Sequence, residues 1–165
     1  LGGSCSDDLH IWLSPRLAKI QAETIKDALI SFYPQHKENF EIRFNNLAKE
    51  LDALDAWIAK TLENLPNRTL MVSHPAYGYY CQEYHLSQLP IEFEGRDPTS
   101  KQLTRLLDSA KASKVHYILT QPQYSAKAAE LIGKEIGAEL ISVDPYSENY
   151  DATLRQITQL IRDHS

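Results

Sequence analysis

Apolar positions in the first third of the chain recur at helical intervals. Leu17, Ile20, Thr24, Ala28 and Phe32 follow one another at that spacing, which predicts an amphipathic helix. Ser14-Pro15 opens it with a capping hydroxyl and a proline at the first helical position, where the missing N–H costs nothing, and Tyr33-Pro34 stops it. Phe40, Phe44, Leu47, Leu51, Leu54, Ile58, Leu62 and Leu65 then recur every three or four residues, with Lys49, Glu50, Asp52, Asp55, Lys60 and Glu63 on the other side. This second run predicts one long helix from about 38 to 65, on the order of 40 Å at 1.5 Å per residue.

From Thr69 the rhythm changes to short apolar runs separated by helical stretches, the pattern of strands joined by crossover helices. Strands are expected at 69–73, 89–93, 115–120 and 139–143, with helices at 76–85, 100–112, 125–136 and 150–162. Thr99 to Gln102 supplies a capping box, and Gly137 stands where a C-terminal helix cap belongs. Right-handed crossovers make this an α/β fold: a small, doubly wound, parallel four-stranded sheet with flanking helices, preceded by a long amphipathic linker helix. The segments divide as 1–35, 36–66 and 67–165.

Composition narrows the function. The 165 residues are 42% hydrophobic and 24% charged, which suits a folded domain and not a disordered one. The formal net charge of −5 leaves no basic footprint, so nucleic acid is excluded as an expected partner. No apolar run approaches the roughly 18 residues of a membrane-spanning helix. Cys5 and Cys81 could form one disulfide in an oxidising compartment or remain separate thiols.

In open parallel sheets ligands bind at the carboxyl ends of the strands, where the loops diverge. Ser73-His74-Pro75 closes the first expected strand and Val143-Asp144-Pro145 the last. An imidazole and a carboxylate on one rim are both good ligands for a borderline divalent metal, and each following proline favours extended geometry at the ligand. Taken singly, a His at a strand end is more often a hydrogen-bonded structural residue than a ligand, and an Asp before Pro more often a turn or helix cap; their shared edge raises the odds. His36 and His85 fall at helix ends, His116 in a strand and His164 in the tail; solvation or capping accounts for all four.

The run Asp8-Leu9-His10-Ile11-Trp12-Leu13-Ser14-Pro15 resembles the Asp-Pro-His-Ile-Trp-Leu-Ser/Asp-Pro signature of the cluster A-I solute-binding proteins of bacterial ABC importers, which carry zinc or manganese; Leu9 replaces the usual Pro. Ser73 to Tyr80 resembles that family's His-Asp-Ala-Tyr-Gly-Tyr-Phe motif, with Pro75 where Asp is common. Glu94 to Leu103 and Gln121-Pro122-Gln123-Tyr124-Ser125 resemble two further stretches in the same order, and Val143-Asp144-Pro145 falls in a Leu-Asp-Pro context. The resemblance implies a metal site built from His10, His74 and Asp144, three of four family ligands. It also implies that 1–35 is a helical remnant of an N-terminal lobe, 36–66 the linker helix and 67–165 a metal-binding lobe. Family members run to about 280 residues, so the site is expected to be incomplete in this chain and metal binding weakened.

Imidazole at position 74 suits Zn2+, whereas the manganese members carry a glutamate there, so zinc is expected, with Mn2+ as the alternative. The expected partners are the divalent ion and an ABC permease. The implied location is periplasmic or otherwise extracytoplasmic, with a lipid anchor in a longer form, and the apolar faces of the first two helices favour self-association. Two other readings stay open. One is a small α/β enzyme using His74 as base and Asp144 as orienting carboxylate, although no nucleophile or phosphate loop accompanies them. The other is an adhesin or scaffold domain without a metal role.

Overall fold

The computed structural model describes residues 8–93, 96 and 98–165. Cys5, and with it the Cys5–Cys81 pairing, lies outside the described residues, as do Glu94, Gly95 and Asp97 of the 94–103 motif and the first seven residues of the 1–35 segment.

A 3-10 turn at Ile11–Leu13 leads into α1 (Pro15–Phe32), whose Ser14 cap accepts the Leu17 N–H at 3.3 Å. Helix α2 (Lys37–Thr61) ends four residues before the expected boundary at Leu65. The cause is local. The Arg68 guanidinium donates to Leu62 O and Glu63 O at 3.1 and 2.7 Å, taking carbonyls that a longer helix would use, and Pro66 biases Leu65 away from helical geometry. Helices α1 and α2 pack along each other, and Arg16 bridges Asp55 of α2 and Glu83 at 3.1 and 2.7 Å.

The sheet follows. Strand β1 (Thr69–Val72) leads to α3 (Gly78–Glu83) and β2 (Ser87–Pro90), then α4 (Ser100–Ala112), β3 (Tyr117–Thr120), α5 (Lys127–Ile136), β4 (Glu139–Ser142) and α6 (Tyr150–Asp163). All pairings are parallel, in the order β2-β1-β3-β4. The fold class and the four-stranded sheet agree with expectation, while several bounds move. Helix α3 is shorter at both ends than the expected 76–85: at its start Tyr77 N–H is taken by Gln88 Oε1 (2.7 Å) and Gly78 N–H by Asp8 Oδ2 (3.1 Å), and past its end His85 turns into the left-handed region at φ 57°. Strand β2 starts two residues earlier than predicted, yet Ile91 and Glu92 still donate to Val72 O and Ser73 O at 2.9 and 3.0 Å. Pro90 is tolerated because β2 is an edge strand.

Alternation along the strands feeds two cores. Leu70, Val72, Tyr117 and Leu119 face α2, α3 and α6, burying Leu54, Ile58, Tyr80, Leu154 and Ile157; Met71 and Ile118 face α4 and α5 with Leu106 and Ile132. The expected caps form. Thr99 and Gln102 exchange side-chain-to-backbone bonds at 3.4 and 2.8 Å, and Gly137 closes α5 in the left-handed region at φ +70°. Among the described residues no helix is long and apolar enough to cross a membrane.

Candidate metal centre

Strand order reverses between β1 and β3, since β1 is followed by β2 on one side while β3 and β4 extend the other. At such a switch point the loops leaving the carboxyl ends diverge and open a crevice. His74 leaves β1 there and Gln121 to Tyr124 leave β3, with Asp144 just beyond β4. The crevice is the place where side chains from distant segments can meet.

His10 reaches it from the N-terminal segment. Its Nδ1 lies 2.7 Å from Asp8 Oδ1, and the same carboxylate oxygen accepts the His10 backbone N–H at 2.9 Å. A carboxylate only accepts, so Nδ1 carries the proton and Nε2 presents a lone pair. That lone pair faces the Tyr146 hydroxyl at 3.0 Å. Asp8 also binds Gly78 N–H, which locks this segment onto α3, while Trp12 Nε1–H donates to Pro145 O at 3.1 Å and Tyr150 Oη–H to Trp12 O at 2.6 Å.

His74 is built the same way. Its Nδ1 lies 2.6 Å from Glu92 Oε2, and its ring stacks on Tyr124 at 4.2 Å between centroids and 9° between planes. The side chains of His74 and Glu92 are 17% and 20% exposed, enough burial for the charged hydrogen bond to hold the ring firmly. Nε2 of His74 is thereby left for an incoming ligand. The two imidazoles stand edge to face, 5.4 Å apart.

Asp144 is held differently. Gln123 Nε2–H and the Tyr146 backbone N–H both donate to Asp144 Oδ1, at 2.7 and 2.9 Å. The structure therefore brings His10 and His74 into ring contact, with Asp144 on the adjoining loop two residues from the tyrosine that bonds His10. Among the described residues no group of three His, Cys, Asp or Glu side chains stands close enough to hold an ion. Burial, the largest cause, pushes the Tyr146 hydroxyl up to about 12. Beneath the rim, Ser73 Oγ, Tyr77 Oη and both polar side-chain atoms of Gln121 are buried without a hydrogen-bond partner.

A family profile described as zinc-uptake complex component A, periplasmic (ZnuA), matches residues 3–164. The chain belongs to this family. A putative metal-binding protein of Chlamydia muridarum is 27% identical over 169 residues, covering 99% of this chain and 61% of that protein. A crystal structure of ZnuA superimposes with a TM-score of 0.92 at 33% identity, over 99% of this chain and 63% of that one. A zinc-bound ZnuA deletion mutant gives 0.90 at 35% identity, over 95% and 60%. The chain thus spans about 60% of the length of these relatives.

The family is described by a zinc-uptake component, a description that lends no support to the enzyme reading of His74 and Asp144. Sequence reasoning gave no role to Asp8, Glu92, Tyr124 or Tyr146. Glu92 could have been found from strand register: Val72 pairs with Pro90, so two residues further on His74 stands opposite Glu92. Asp8 carried a signal too, as a carboxylate two residues before a candidate ligand. Tyr146 carried none, because its partner is 136 residues away.

Proposed function

We propose that this chain captures a divalent metal ion, zinc, outside the cytoplasm and delivers it to an ABC permease, with His10 and His74 as ligands already side by side and Asp144 drawn in from its loop as the ion binds. One observation carries the reading: two imidazoles in ring contact at the switch point, each with Nδ1 bound by a carboxylate. That arrangement directs Nε2 as the coordinating atom and raises its basicity. The names of the relatives, among them a zinc-bound ZnuA and a zinc-binding protein of Streptococcus pyogenes, support zinc as the cargo. So does the donor set, because two imidazoles and one carboxylate suit zinc better than manganese.

In this reading 67–165 is the metal-binding lobe, 36–66 the linker helix and 1–35 the segment that brings His10 to the rim. Ile20, Phe32 and Ile42, each more than half exposed on α1 and α2, offer an apolar surface for self-association.

Zinc titration by calorimetry tests the function. Wild type should bind, and His10→Ala, His74→Ala and Asp144→Ala should each weaken binding by more than the roughly 10–100-fold typical of losing a supporting group. Wild-type affinity in His74→Ala would refute the proposed site.

A further inference from the structure

We propose that Tyr146 is a gate on His10, its hydroxyl occupying the nitrogen that the metal needs, so that capture requires the tyrosine side chain to move away. The inference rests on the capture reading and adds to it the residue that opposes binding. A neutral imidazole has one acceptor lone pair. With Nδ1–H donated to Asp8, that lone pair is on Nε2, and the Tyr146 hydroxyl 3.0 Å away engages it. A lone pair engaged by a hydroxyl proton is unavailable to a cation.

His74 shows the contrast. Its Nδ1 is bound to Glu92 and no described residue hydrogen-bonds its Nε2, so one histidine of the pair is open and the other is closed. Tyr146 is also well placed to swing. Its backbone N–H donates to Asp144 Oδ1, which can anchor the loop while the side chain rotates, and its ring packs against Trp12 at 5.6 Å and His10 at 6.0 Å. At 45% exposure the ring has solvent to move into. Because the ring's one proton is held on Nδ1 by Asp8, the hydroxyl meets Nε2 as the donor.

The test is zinc affinity of the full chain with Tyr146→Phe, which keeps the ring and removes the hydroxyl, and with Tyr146→Leu as a second variant without the ring. Losing a competing neutral hydrogen bond should tighten zinc binding by about fivefold in both. The nitrogen chemical shift of His10 Nε2 in metal-free protein should move in the variants, a change that a purely structural role for the ring would not produce. Affinity that is unchanged or weaker in Tyr146→Phe, while wild type binds zinc, overturns the gate and leaves the capture reading standing. Absence of zinc binding in wild type and variants alike overturns the capture reading, and the gate with it.

Discussion

The bond between His74 and Glu92 gives the sharpest handle on the candidate centre. Glu92 Oε2 lies 2.6 Å from Nδ1, and both side chains are largely shielded. A hydrogen bond to a charged group in such a setting contributes about 1.5–3 kcal/mol. If the imidazole must hold its Nδ1 proton and its orientation to coordinate through Nε2, most of that energy is expressed in metal affinity, which corresponds to a loss of roughly 10–100-fold on removing the carboxylate. Glu92→Ala should show the full loss. Glu92→Gln keeps an oxygen acceptor without the charge, and should fall between Ala and wild type. The assay is competition for zinc with a chelator of known affinity, alongside urea unfolding to confirm that the metal-free fold is retained. Glu92→Ala within twofold of wild type would refute the idea that this carboxylate prepares His74. Equal losses in Gln and Ala would argue that charge, and not orientation, is what Glu92 supplies.

Two further predictions concern the scaffold. Arg68→Ala removes a guanidinium that donates to Leu62 O, Glu63 O and Tyr84 O at 3.1, 2.7 and 3.2 Å, and should cost about 2 kcal/mol. That is a urea midpoint lower by about 1 M, and a midpoint unmoved within about 0.2 M would show that water replaces the guanidinium without penalty. Gly137→Ala places a side chain at φ +70° in open space, so only the backbone conformation is penalised. The expected loss of about 1 kcal/mol lowers Tm by about 2–4 °C, and an unchanged Tm would mean that the α5 cap relaxes to another conformation.

What could be read from the sequence was whatever depends on neighbours along the chain. Helical spacing in α1 and α2, the Ser14 and Thr99 caps and Gly137 are set within a turn or two, and all are present in the structure. The four strands were visible as apolar runs because both faces of the sheet are covered by helices. Bounds shifted where a distant side chain intervened, as Arg68 does at the end of α2 and Gln88 and Asp8 do at the start of α3. The candidate site followed the same rule. His74 and Asp144 were placed on one rim by strand-end logic, and His10 joined them only through resemblance, since nothing local ties the N-terminal segment to the sheet. The groups that hold these residues, Glu92 across a strand pair and Tyr146 across nearly the whole chain, depend on tertiary contacts that periodicity does not encode.

The stapling of the N-terminal segment to the β4–α6 loop has a consequence for how the crevice comes into being. Its bonds, Trp12 to Pro145, Tyr150 to Trp12 and Tyr146 to His10, span 133, 138 and 136 residues. Loops of that length close slowly and at high entropic cost until the intervening sheet exists to hold their ends near each other. His10 therefore meets Tyr146 only after the sheet and the loop that follows β4 are in place, so the two sides of the crevice are joined late in folding.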